Sequence, residues 1–179
     1  FVDKLDPQSG TSLEIGSSGD TITIPSGATI TNSGTATGFG EANTPNFHAK
    51  TSSQSISAST STVVVYSAED FDTSSLYNTS NGRFTVDANT TGKYFFYAAV
   101  KYASSSISRN DLTINKNGTA VLRTEFGNST SYPTVLVSGM VNLSSSGDYV
   151  EVKVNQNDGT KSLSGESEGN FFGGFRVTS

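Results

Sequence analysis

The stretch Tyr66–Phe96, YSAEDFDTSSLYNTSNGRFTVDANTTGKYFF, decides the fold. Tyr66, Phe71, Tyr77, Phe84, Tyr94 and Phe96 recur in it between clusters of Asn, Gly, Ser and Thr. That spacing belongs to short strands bounded by turns, not to a helix, whose apolar positions return every three or four residues. Aromatics at this density bury large areas and mark the core of a β-sandwich. The closing piece, GKYFFYAAVKY, places Tyr94, Phe96, Ala98 and Val100 on one face at period two, with Lys93, Phe95, Tyr97 and Lys101 on or near the other. Phe95 and Tyr97 are too apolar for a plain solvent side. The strand is therefore expected to have a neighbour over both faces, one of them another subunit.

Further pieces follow on either side. Asn46, Phe47 and Ala49 read as a first strand, Lys50 to Thr62 as a Ser-rich loop, and Val63, Val64 and Val65 as the start of the next strand. Later strands are expected near 82–87, 92–102, 111–116, 119–126, 134–143, 148–155 and 170–178. The expected interior comprises Val86, Tyr94, Phe96, Leu112, Ile114, Val121, Val137, Val141, Leu143, Val150, Val152 and Phe175.

The order Tyr66, Asp72, Tyr77, Phe84, Gly92, Tyr94 and Phe96 resembles the signature of the globular head of complement component 1q, within the tumour-necrosis-factor-like jelly rolls. LTINKNGTAV (112–121), VLVSGMVNLSSSGDYVEV (135–152) and FFGGFRV (171–177) resemble the strand pairs and terminal strand of that head, in the right order. Tyr66 stands where the family usually has Phe, the segment between Phe84 and Gly92 is longer, and Glu151 sits where many members carry Trp. The resemblance implies an all-β jelly-roll sandwich that assembles as a parallel homotrimer. It also admits calcium near the trimer apex, although no ligand set is readable; NQNDGT around Asp158 lacks the acidic ladder of a calcium loop.

The 179 residues make one ordinary domain plus a small appendage. Charged residues are 15 %, against ~25 % in average chains, while Ser and Thr supply roughly 30 %. Hydroxyls, not charges, solvate such a surface, which suits extracellular display. A net charge of -5 and only 11 basic residues disfavour nucleic acid as a partner. No apolar run approaches the ~20 residues of a membrane span, so no membrane insertion is expected. With no cysteine, the chain reads as a bacterial or viral particle protein stabilised by oligomerisation. It opens on Phe1 with no signal peptide, as a piece of something longer would. The sequons at Asn78, Asn89, Asn117, Asn128 and Asn142 are what chance gives in so Asn- and Ser-rich a chain.

Residues 1–43 differ in character from the head at 44–179. TSLEIGSSGDTITIPSGATITNSGTATG (11–38) sets Leu13, Ile15, Ile22, Ile24, Ala28 and Ile30 between Gly-Ser and Pro-Ser-Gly turns, a degenerate repeat of about eight residues. Each β-piece has one thin apolar stripe and needs neighbouring chains to bury it. The segment resembles the β-rich shafts of bacteriophage tail fibres, which implies Ile15, Ile22, Ile24 and Ile30 as the core of a trimeric stalk. A flexible Gly/Ser linker is the alternative.

Catalytic readings have little behind them. His48 is the one histidine, and acids drawn from Asp111, Glu125, Asp158, Glu166 and Glu168 form no specific pair. No enzyme is expected. The connections at 88–91, 116–118 and 144–147 are tight, whereas 103–109, 127–132 and 156–169 are long, so one end of the sandwich is elaborated for binding. Tyr102, Arg109, Asn128, Tyr132, Asn157 and Asp158 there are the candidate contacts for a bacterial surface carbohydrate: short polar groups, aromatic platforms, and a cation for an acidic sugar. The expected function is the adhesive tip of a trimeric phage fibre on the virion surface, joined to other virion proteins through its N-terminal side. A purely structural trimerising appendage and a secreted ligand of the same fold are the alternatives.

Overall fold

In the head, period-two patterning becomes two facing antiparallel sheets and a small separate strand pair. The computed structural model describes residues 9–31, 33, 44–103, 107–129 and 132–178, with the backbone alone at 128 and 129. The chain divides into two units, Phe1–Gly40 and Glu41–Ser179.

In the second unit the strands are β1 (Asn46–Lys50), β2 (Ser55–Ile56), β3 (Thr62–Val63), β4 (Ala68–Asp72), β5 (Tyr77–Asn78), β6 (Arg83–Thr85), β7 (Gly92–Lys101), β8 (Ile107–Lys116), β9 (Thr119–Ser129), β10 (Thr134–Leu143), β11 (Tyr149–Gln156), β12 (Lys161–Ser162) and β13 (Phe171–Thr178). Sheet one runs β10-β7-β13-β1-β4; sheet two runs β5-β6-β11-β8-β9, with β3 also on β11; β12 and β2 make a small separate pair. The expected all-β jelly roll is therefore observed.

Between the sheets the rings interlock. Phe47 of β1 stacks on Phe84 at 4.7 Å and Tyr77 at 5.1 Å between centroids and meets Phe172 edge-on at 4.9 Å. The buried phenols find partners, as burial demands: Tyr66 Oη donates to Ala99 O at 3.1 Å and Tyr77 Oη to Tyr66 O at 3.1 Å. Desolvation pushes both phenol pKa values up. Asp72, the acid of the recognised pattern, fixes the turn into β5 by accepting from Tyr77 N at 2.7 Å and Ser74 N at 3.1 Å.

Two expected interior residues, Phe175 and Val121, lie elsewhere, as does Phe71 of the aromatic stretch. Phe71 is half exposed on the outer side of sheet one, as is the partly buried Phe175, while their neighbour Phe172 takes the core place. Alternation decides this: β13 turns Phe171 and Phe175 outward and Phe172 inward. Val121 is exposed because the β8–β9 register shifts between Ile114 and Asn115, so that Leu122 packs on the core instead.

The antiparallel register puts the start of β1 beside the end of β13, with Asn46 opposite Phe175. The tight β6–β7, β8–β9 and β10–β11 connections share that end. The opposite end is less loop-like than expected, because β8 begins at Ile107 and β9 runs to Ser129, paired with each other. Asp158 in the β11–β12 connection accepts from Ser108 N and Oγ, and Gln156 Nε2 donates to Ile56 O at 3.0 Å, tying that connection down.

In the first unit the described backbone contains turns and no strand. Asp20 N donates to Ser17 O at 3.0 Å, and about eight residues on Ala28 N repeats this to Pro25 O at 3.1 Å. Gly19 and Gly27 occupy the third position of each turn with φ of 94° and 86°, the left-handed conformation a type II turn requires there. The repeat is thus present as turns, but the expected β-pieces between them are not formed in one chain. Leu13, Ile15, Ile22, Ile24 and Ile30 stand 46–60 % exposed. Among the described residues of this unit the stripe has no partner strand.

Candidate functional site

The outward face of sheet one gathers exposed and half-buried apolar side chains on adjacent strands. Cross-strand pairing builds it as three rows. Leu136, Ala99, Phe171 and Lys50 form one; Ser138, Tyr97, Gly173, His48 and Phe71 the next; Met140, Phe95, Phe175 and Asn46 the third. Phe71, Leu136 and Met140 are 49 %, 52 % and 49 % exposed. Gly173 makes the middle row possible, since a Cβ there would lie 2.5 Å from Tyr97 Oη. The Tyr97 ring occupies that space and reaches within 6.1 Å of the His48 ring and 6.0 Å of Phe171.

His48 has its place in this face. Its Nδ1 lies 2.9 Å from Asp70 Oδ2, and Lys50 Nζ sits 2.7 Å from the other carboxylate oxygen. The Lys50 ammonium, and then His48, hold the Asp70 carboxyl below its ordinary range. An apolar surface of this kind, rimmed by charge, marks an interaction site on a soluble domain.

The expected carbohydrate contacts fare differently. Tyr102 is no platform: it is fully buried, and its Oη donates to Asn110 Oδ1 at 2.9 Å. Arg109 is exposed on β8, not in a loop, and is already paired with Asp111 Oδ2 and Glu125 Oε1, each at 3.1 Å. Asp158 is engaged by the Ser108 backbone N–H and hydroxyl, which lower its pKa. Asn157 and Tyr132 are exposed, Tyr132 with a left-handed φ of 30°. The Asn128 side chain lies outside the described residues. The structure thus brings Arg109, Ser108 and Asp158 to one end and removes Tyr102 from it. Among the described residues no three acidic or histidine side chains converge as a metal site would need.

Two aromatic-bearing sheets in this order, with both chain ends of the head at one pole, define a fold that is shared with known proteins. A family model for the C1q domain matches residues 46–177. The chain belongs to the C1q domain family. Among solved structures, the C1q domain of this chain is similar to the globular domain of the zebrafish complement 1qA protein, at 20 % identity over 74 % of this chain and 96 % of that one, with a TM-score of 0.53. Murine APRIL matches at 18 % identity over 74 % and 98 %, TM-score 0.57. Eiger TNF from S. frugiperda matches at 14 % over 75 % and 91 %, TM-score 0.54. At these identities the structures show the fold. No curated sequence is similar enough to match. C1q and TNF-like domains are typically non-enzymatic recognition or ligand modules, usually extracellular, that form homotrimers.

Glu151, where many C1q domains carry Trp, is buried on the outward side of sheet two, with Arg83 Nε at 2.9 Å and Lys153 Nζ at 3.0 Å. Arg83 also lies over the Tyr149 ring, 4.2 Å from its centroid. A charge cluster here takes the place of an aromatic. Sequence reasoning anticipated the outward Phe95 and Tyr97 but missed Leu136, Met140, Phe71 and Phe171. The signal was available in TVLVSGMVNL, whose apolar residues fall on both faces of one strand.

Proposed function

We propose that this chain is the C1q-type head and part of the β-repeat stalk of a homotrimeric fibre, an adhesive tip of a phage particle that contacts host-surface glycan. The observation that carries the reading is the exposed isoleucine stripe, punctuated by turns at about eight-residue intervals, in the segment N-terminal to the head. A secreted ligand has no use for such a stripe, whereas three parallel copies would bury it around an axis. The aromatic face of sheet one supplies the matching contact in the head. Carbohydrate recognition draws its support from hydroxyl- and amide-rich surfaces, and from the gain that three heads per fibre and many fibres per particle give to weak contacts.

Replacing Ile24 by Asp tests the stalk. Three carboxylates near one axis would each cost several kcal/mol, so residues 10–40 should become protease-sensitive while the head stays resistant and trimeric. A mutant stalk as resistant as wild type would remove the isoleucines from the trimer core. Exchanging the connections at 103–106, 130–133 and 157–169 for short Gly/Ser turns should lower adsorption of fibres to host cells.

A second reading, a structural tip that only holds the chains in register, is favoured by the prior engagement of Arg109, Asp158 and Tyr102 within the fold. Unchanged adsorption of the exchanged fibres, with no other surface of the head involved, is its expected result.

A further inference from the structure

The outward face of sheet two holds a polar cavity that neither the assembly face nor the loop end absorbs. Pairing sets Asp111 of β8 between Asn155 of β11 and Glu125 of β9, and Thr113 between Lys153 and Arg123. Together with Ser61 and Asn115, the residues Asp111, Thr113, Arg123 and Asn155 line a cavity of about 170 Å³. Two acceptors in this lining, Asp111 Oδ1 and Asn155 Oδ1, are buried without a hydrogen-bond partner among the described residues. Their neighbours are each engaged: Asp111 Oδ2 accepts from Arg109 at 3.1 Å, and Asn115 Oδ1 accepts from Thr113 Oγ1 at 2.7 Å. Arg123 is exposed and, among the described residues, makes no ion pair. Native folds seldom leave buried acceptors unmade, and two on paired positions of adjacent strands ask for one donor-bearing ligand.

We propose that this cavity is a carbohydrate subsite for one ring of an acidic polysaccharide, with ring hydroxyls donating to Asp111 Oδ1 and Asn155 Oδ1 and the sugar carboxylate accepting from Arg123. The inference rests on the glycan-recognition reading and moves its centre from the loops to the sheet face. Unpaired oxygens would also suit a hard cation. Yet the lining sets one carboxylate, already shared with Arg109, against Arg123 and Lys153. Calcium wants roughly six to eight oxygens and compensating negative charge. A hydroxylated ring brings donors without charge, and its acid group matches the exposed Arg123 guanidinium. The cavity is smaller than the ~300–1,000 Å³ of sites that engulf a whole ligand. It suits a single ring of a chain that runs across the surface, bound weakly per head and strongly per particle.

The test is calorimetric titration of the full-length trimer with D-glucuronic acid, D-glucose and calcium chloride in turn, with crystals soaked in each. Glucuronic acid should bind roughly tenfold more tightly than glucose, the worth of one charge-assisted contact, and its ring should lie on Asp111 and Asn155. Arg123→Ala should erase that preference without moving the thermal midpoint, since among the described residues this exposed side chain has no ion pair to lose. Asn155→Leu should abolish both affinities, and Arg123→Ala carries the test should Asn155→Leu fail to fold. Sugar density elsewhere or none, calcium seated on the two oxygens, or an atomic-resolution structure with the Asn155 amide turned to donate to Asp111 Oδ1 would each overturn the proposal. Host-cell adsorption separates the levels. Loss on loop exchange with none in Arg123→Ala or Asn155→Leu sinks this subsite and keeps glycan recognition; no loss in any variant sinks both.

Discussion

Gly174 shows how one missing Cβ can hold a sandwich together. An added methyl would stand 2.4 Å from Phe96 Cδ1 and 2.9 Å from the Phe95 carbonyl oxygen, and Phe96 is fully buried among Phe47, Phe84, Tyr94 and Phe172. Neither the ring nor the backbone of a central strand can yield cheaply, so Gly174→Ala should cost ~1–3 kcal/mol by overpacking, read as a lower midpoint in chemical denaturation. Asp148 makes a different residue-scale case. Burial opposes its ionisation, but donors from Asn117, Lys116 and the Ser145 backbone outweigh that and hold its pKa at about 2. The folded pKa lies below the ordinary 3.8 of an aspartate. The ionised form therefore contributes stability that is present above about 4 and drains away as pH falls toward 2. Wild type should lose stability steadily through that window in urea titrations at stepped pH, and Asp148→Asn should flatten this part of the curve. An unchanged slope in the mutant would assign the acid sensitivity to other carboxylates.

At the scale of elements, the β8–β9 hairpin carries its own instruction. Asn117 and Gly118 have φ of 49° and 82°, the two left-handed residues that a type I′ turn needs. Asn117 is also a clasp between hairpins, for its Nδ2 donates to Asp148 Oδ1 at 2.7 Å and its Oδ1 accepts from Tyr149 N at 2.9 Å. Asn117→Ala loses both bonds and keeps the strain, so it should cost ~2–3 kcal/mol. Asn117→Gly relieves the strain and should cost about half as much, and equal losses in the two variants would show that the side-chain bonds alone matter. This turn was legible in the sequence because Asn-Gly has a mechanism behind it, and so were the long strands of regular alternation. Less could be read where tertiary pairing makes the strand. Ile107–Asn110 carries Ser and Arg, yet is zipped to β9; Ala68–Asp72 is an acidic edge strand held by β1. Tyr102 shows the same limit for a site, because an aromatic beside a loop looks like a platform until Asn110, eight residues on, proves to satisfy its hydroxyl. The orphaned Asp111 and Asn155 oxygens depend on which strands become neighbours, which no local pattern records.

For the whole molecule the governing fact is an imbalance between the outward faces of the two sheets. Sheet two turns out Arg83, Glu151 and Lys153, which pair with one another, beside the polar cavity of Asp111 and Thr113, whereas sheet one turns out rings and long apolar chains. A monomer would leave that second face wet, and obligate interfaces of more than ~2,000 Å² are built from such surfaces. The face also explains why Phe95 and Phe175 remain apolar although neither belongs to the core; their rings sit 5.7 Å apart and present a continuous layer with Met140. Leu136 and Met140 allow the argument to be tested without touching the fold, since each is about half exposed in the single chain. The double variant Leu136→Glu/Met140→Glu should change the stability of one head by less than ~1 kcal/mol, as surface substitutions do. In a trimer the same change would bury up to six unpaired carboxylates, each costing several kcal/mol. Light scattering of the wild-type head should therefore give three times the chain mass at micromolar concentration, and the variant one chain mass with a native circular dichroism spectrum. A variant that remains trimeric would show that assembly uses a surface other than sheet one, and a wild-type head that is monomeric would leave the stalk as the sole source of trimerisation.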